Sequence, residues 1–177
     1  MLEANFWPNA DILYNGVHFT NIRMNYDVYK EDLIVYYPEK GEEKFVVISK
    51  DSLTSFSYTD SLMQRNHLYE YIELPGVRGK TLYENVSVGK VSLFIQPVKI
   101  FQDTPGEIFH GKYSSSYKYY IKSGDGYISF NSKKQFIELL ANHSIELKRF
   151  IRKEKLKINN RLPENIIVVL KYFDGLN

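Results

Sequence analysis

A chain of 177 residues with 44% hydrophobic and 25% charged side chains has the size and composition of one globular domain, which excludes a disordered protein. Its 23 basic and 21 acidic residues leave a formal charge of +2, too small to define a class of partner. There is no cysteine, so disulfides, thiolate nucleophiles and cysteine metal sites are excluded. The 15 tyrosines and 11 phenylalanines favour strands and half-buried sheet faces. No apolar run approaches the roughly 18–20 residues of a membrane-spanning helix. Met1-Leu2-Glu3-Ala4-Asn5 has neither the basic start nor the apolar stretch of a secretory leader.

In chain order, residues 6–16 read as an irregular lead-in punctuated by Pro8 and Asn15-Gly16. Residues 17–26 alternate as a strand. His18, Thr20, Ile22, Met24 and Tyr26 are expected on one face, with Val17, Phe19, Asn21, Arg23 and Asn25 on the other. A polar connection, Asp27 to Asp32, leads to a strand over Leu33–Tyr37. Pro38-Glu39-Lys40-Gly41 is a turn, and Lys44–Ser49 a third strand. Further strands are expected near Ser55–Tyr58, Leu68–Leu74, Leu82–Val88 and Lys90–Phe101, with Gly76, Gly79 and Gly89 at turns or bulges. Residues 102–116 read as a loop. Tyr117–Lys122 and Tyr127–Phe130 flank a hairpin turn, Ser123-Gly124-Asp125-Gly126. Eight or so short strands with turns between them argue for an antiparallel sheet that curls.

The pattern changes at residue 132. Ser132 and Gln135 have the spacing of a helix capping box, and Phe136, Leu139, Leu140 and His143 then share a helical face. A second helix follows Ser144, with Leu147, Phe150 and Ile151 as its apolar stripe. Pro163 suits the first turn of a third, and Gly175 its end. Ile166–Leu170 is apolar almost all round, so the third helix should be buried on most sides. Charge divides at the same place: residues 1–131 hold 13 basic and 16 acidic side chains, residues 132–177 hold 10 and 5. The fold expected is α+β, a curled antiparallel sheet or partly open barrel over residues 1–131. About three C-terminal helices over residues 132–177 form a subdomain packed with it.

Chemistry-bearing motifs are scarce. His18, His67, His110 and His143 have no metal-ligand spacing, so no metal or other cofactor is expected. There is no Gly-x-Ser-x-Gly elbow, and Ser114-Ser115-Ser116 reads as a loop tip. Gly79-Lys80-Thr81 lacks a phosphate loop's first glycine, since position 74 is leucine. The carboxylate pairs Glu31/Asp32 and Glu42/Glu43 sit in polar turns, where they are solvated and not set across a cleft. Two features remain. Tyr69/Tyr71 and Tyr117/Tyr119 have same-face spacing and suit a platform for stacking sugars or bases, or ordinary cross-strand packing. Lys148, Arg149, Arg152 and Lys153, continued by Lys155, Lys157 and Arg161, suit contact with nucleic-acid phosphates or anionic lipid headgroups, or a solvated helix face.

Residues 15–35, Asn-Gly-Val-x-Phe-x-Asn-Ile-x-Met-Asn-Tyr-Asp-x-Tyr-x-x-Asp-Leu-Ile-Val, resemble the opening hairpin of an uncharacterised family of exported bacterial β-rich proteins. Leu82–Leu93 is similar to that family's Gly-Lys hairpin. Phe136–Leu140 and Leu147–Arg152 are similar to its C-terminal helices. The resemblance implies export to the periplasm or outer membrane, with no catalytic residue to carry over. The missing leader departs from that pattern, which leaves the cytoplasm as the alternative location. The function expected is therefore a non-catalytic, envelope-associated binding or structural protein, with an envelope protein, a glycan or a lipid as partner. A nucleic-acid binder using the basic helix is the alternative, and a hydrolase whose site assembles only in three dimensions a weaker one.

Overall fold

The computed structural model describes residues 7–60, 64–75, 78–89, 91–103, 111–123 and 126–176. Expectations for Met1–Asn5, Gly76, Lys90, Pro105-Gly106, His110 and Gly124-Asp125 fall outside them. Ten strands form one antiparallel sheet that does not close on itself. In chain order they are β1 (Asn9–Tyr14), β2 (Val17–Asp27), β3 (Asp32–Glu39), β4 (Glu42–Ile48), β5 (Leu53–Asp60), β6 (Arg65–Ile72), β7 (Thr81–Val88), β8 (Val91–Asp103), β9 (Gly111–Ser123) and β10 (Gly126–Phe130). Three helices follow: α1 (Lys133–Leu139), α2 (Ser144–Lys153) and α3 (Pro163–Asp174).

The spatial order is β10-β9-β8-β7-β6-β5-β1-β2-β3-β4. Two meanders, β1–β4 and β5–β10, are therefore stitched together where β1 pairs with β5. This order forces the curl. In a flat sheet β4 and β5 would lie about 19 Å apart, four strand spacings. Only residues 49–52 join Ile48 to Leu53, a reach of at most about 17 Å. Bulges on both sides of β1 supply the bend. One lies between the Ala10↔Ile22 and Ile12↔Phe19 pairs, the other between Leu13↔Ser55 and Tyr14↔Leu53.

The first bulge corrects the expected alternation in β2. Asn21 takes φ 58° and its N–H donates to Asp11 Oδ1 at 3.1 Å. The extra residue shifts the strand by one, so Val17 and Phe19 join Ile22, Met24 and Tyr26 on a single face. Residues 9–14, expected to be irregular, form β1 because each side finds a strand to pair with. Residues 111–116, expected in a loop, extend β9 through Ser116↔Val98 to Gly111↔Asp103. Pro38 and Glu39 belong to β3, and the turn contracts to Lys40-Gly41.

Two cores lie on the concave face. One fills the curl of β1–β6 with Met24, Tyr26, Leu33, Leu53, Phe56 and Tyr71. The other lies between β7–β10 and the helices, built on Leu93, Ile95, Ile121, Phe136, Leu147, Ile151 and Leu170. On the opposite face a smaller cluster buries Leu74, Tyr83, Phe94 and Tyr120. The α1 cap forms as expected: the Gln135 N–H donates to Ser132 Oγ at 3.3 Å. The Gln135 amide oxygen reaches one residue further back than a capping box requires, accepting from the Asn131 N–H at 3.0 Å. Pro163 opens α3 and Gly175 follows it.

Candidate functional site

The four candidate tyrosines share the concave face, and three are buried core residues. Tyr69 stacks on Phe56 with ring centroids 4.9 Å apart, and Tyr71 lies in the same cluster. Tyr119 is buried and donates its hydroxyl to the Asn159 carbonyl at 3.0 Å. Tyr117 is half-buried, and its backbone N–H donates to the Asn160 carbonyl at 2.8 Å. These two residues hold the connection between α2 and α3 against β9. Pairing sets Phe56, Tyr69, Glu84, Ile95, Tyr119 and Phe130 in one row across six strands. The row packs a core and leaves no open aromatic surface at Tyr69, Tyr71 or Tyr119.

The row contains a polar knot that sequence spacing alone did not expose. Glu84 is only 6% exposed, and its Oε1 lies 2.8 Å from Nδ1 of His67, itself 9% exposed. The Arg65 guanidinium pairs with Glu84 and also with Glu164 on α3. Tyr58 stacks on the His67 ring at 4.9 Å. Arg65, His67 and Tyr69 alternate on β6 and so face the same way, but Glu84 meets them only through the β6–β7 register. The signal was a strand alternation of Arg, His and Tyr, uninformative until the carboxylate is placed opposite.

An imidazole held by a buried carboxylate is the arrangement of a general base, and a base needs substrate within reach. A groove of about 550 Å³ beside the knot is lined by Asp11, Ser57, Thr59, Asn66 and Leu68, and also by Tyr58 and His67. The first five alternate with Ile12, Phe56, Tyr58 and His67 along their strands, so their side chains belong to the opposite sheet face. Through Arg65, which pairs with Glu84 and Glu164, the knot ties the sheet to α3. Among the described residues no group of three or more His, Asp or Glu could hold a metal ion.

The basic residues of α2 lie at the surface. Lys148, Arg149, Arg152 and Lys153 are all exposed. Leu147 and Ile151 are buried against the second core, which orients the helix with its charges outward. Lys148 and Arg152 turn toward α1 and, with Lys133, Lys134, Ile137, Glu138 and Ser144, line a groove of about 720 Å³. Glu138 pairs with Lys134 at 3.9 Å and Lys153 with Glu154 at 3.9 Å. Lys148, Arg149 and Arg152 have no carboxylate within 4.0 Å among the described residues. Ile145 is 68% exposed. It stands three, four and seven residues before Lys148, Arg149 and Arg152, hence on the same helical face. The arrangement offers one apolar tip among three cations, beside a groove with further lysines at its rim.

No protein-family model matches the chain, and no match to a curated protein or to a solved structure was found. Among the described residues no helix is long and apolar enough to cross a membrane.

Proposed function

We propose that this is a non-catalytic, peripheral binding protein of an anionic lipid surface in the bacterial envelope, docking through α2 and the α1–α2 groove. The observation that carries the reading is Ile145, exposed at 68% and set among Lys148, Arg149 and Arg152. What sets Ile145 apart from the chain's other exposed apolar side chains is its place among three cations on one helical face. At a bilayer boundary an apolar tip enters the headgroup layer while the cations meet phosphates. Each cation near an anionic leaflet contributes about 1 kcal/mol, so three contribute about 3 kcal/mol, roughly 100-fold in affinity. Lys133 and Lys134 add to the same field, and Glu138 and Glu146 subtract from it. The envelope location is the one implied by the family resemblance.

A nucleic-acid partner is the second reading, favoured by the exposed Lys155, Lys157 and Arg161, which continue the basic run beyond α2. The two separate on Ile145. Co-sedimentation with phosphatidylcholine vesicles, with and without about 30% phosphatidylglycerol, should show binding only to the anionic vesicles. Replacing Lys148, Arg149 and Arg152 together by Ala should abolish it, and Ile145→Ser should weaken it. A duplex oligonucleotide bound with steep salt dependence and unaffected by Ile145→Ser would favour the second reading. Equal binding to neutral and anionic vesicles would overturn the first.

A further inference from the structure

Among the described residues, strand β4 lies at one end of the sheet and pairs only with β3. It is exposed along both faces, with Phe45 at 55%, Val46 at 49% and Val47 at 58%. Trp7 lies against Phe45 with ring centroids 5.4 Å apart, but among the described residues no strand pairs with the outer side of β4, and a long apolar edge of this kind is a template for another strand. The usual guard on such an edge is a bare lysine, but the Lys44 ammonium pairs with Glu39 within the hairpin.

Hairpin geometry sets which backbone groups face outward. Lys40 (φ 50°) and Gly41 (φ 87°) form a two-residue turn of the type that makes its flanking residues, Glu39 and Glu42, a hydrogen-bonded pair. Pairs then alternate. Lys44, Val46 and Ile48 bond to β3, while Glu43, Phe45 and Val47 turn their N–H and C=O groups to the open side. Pro38, which has no N–H, sits opposite Glu43 as this phase requires.

We propose that β4 is the interface of a two-fold symmetric dimer, in which β4 pairs antiparallel with β4 of a second copy and joins the two sheets. The strand is complementary to its own reverse. It begins acidic at Glu42-Glu43, is apolar through Phe45–Ile48, and is followed by Lys50. In a register centred on Val46, the outward groups of Phe45 meet those of the second copy's Val47. The apolar residues face one another, and Glu42 falls toward the second copy's Lys50, whose ammonium also pairs with Glu31 of its own chain at 3.0 Å. Centred instead on Phe45, the strand would set Glu43 against Val47 and Lys44 against Val46, opposing charge with apolar surface. One strand per subunit is a small interface, so a Kd on the order of 10 µM is expected.

Sedimentation velocity of the full chain from about 1 to 200 µM should show monomer passing to dimer. Val47→Pro removes an outward N–H and leaves the β3 ladder intact. It should stay monomeric with an unchanged far-UV spectrum. The chain has no cysteine, so a single one reports cleanly. At the two-fold axis residue 46 forms a non-hydrogen-bonded pair with Cα atoms about 4.5 Å apart, within disulfide reach. Mild oxidation of Val46→Cys should give a covalent dimer. Ile100→Cys, similarly exposed at 50% on β8, should not. A wild-type chain still monomeric at about 200 µM overturns the proposal. So does a folded Val47→Pro that dimerises as before, or equal crosslinking at 46 and 100. If Val47→Pro does not fold, the two cysteine variants decide.

Discussion

Six tyrosine hydroxyls, those of Tyr26, Tyr69, Tyr71, Tyr83, Tyr119 and Tyr120, are raised above the ordinary phenol value because burial penalises the phenolate. Tyr83 is pushed up to about 12, and its hydroxyl has no hydrogen-bond partner among the described residues. A pKa higher in the folded than in the unfolded chain means that the folded state holds the proton more tightly. The associated stability is complete below pH about 10 and is lost as pH rises toward about 12. Absorbance at 295 nm should therefore show an exposed set titrating near pH 10. A buried set should ionise later, together with loss of the far-UV sheet signal. One single transition at pH 10 would contradict this burial pattern. Asp27 shows the reverse balance. Partial burial raises its pKa, but the Lys30 and Tyr29 backbone N–H groups donate to it, and the net shift is downward. Arg65 acts through charge. Arg65→Ala would leave the Glu84 carboxylate buried without its guanidinium and free Glu164 from the sheet, a loss of about 3–5 kcal/mol. The urea midpoint measures it.

At the scale of elements, local chemistry and tertiary pairing had separate parts. The start of α1 follows from Ser132 and Gln135 alone. Ser132→Ala removes the acceptor for the Gln135 N–H and should cost about 1 kcal/mol, read as a lower thermal midpoint without loss of fold. The helices were legible because α1 and α3 carry start signals at Ser132 and Pro163, and α2, which has no side-chain cap, carries the apolar stripe of Leu147 and Ile151. β1 was not legible, because Asn9–Tyr14 is a strand only by virtue of β2 and β5 on either side. The Asn21 bulge was likewise invisible. A single residue entering the left-handed region inverts the facing of everything before it, and asparagine tolerates that region without demanding it. The outer half of β9, with Ser114-Ser115-Ser116, reads as loop by composition and becomes strand because β8 is long enough to pair with it.

Over the whole molecule, the helices share one core with β7–β10. Phe130 of β10 stacks on Phe136 of α1 at 4.9 Å, Leu170 of α3 is fully buried, and Arg65 ties α3 to β6. Residues 1–131 and 132–177 should therefore unfold together. Leu170→Ala should cost about 2–5 kcal/mol and move the far-UV and tyrosine-fluorescence transitions equally. Separate transitions for the two signals would mean that the helical region unfolds on its own.

Composition, turn residues and hydrophobic period by themselves determined the class of fold, the change from strands to helices at residue 132 and the basic, exposed face of α2. These depend on neighbours within a few positions in the chain. Strand order, the place of the curl at the short β4–β5 connection, the burial of Tyr69, Tyr71 and Tyr119, and the meeting of Arg65, His67, Glu84 and Glu164 were decided only by the tertiary structure. They depend on which strands lie side by side, and residues 65 and 164 become neighbours only once β6 and α3 have packed.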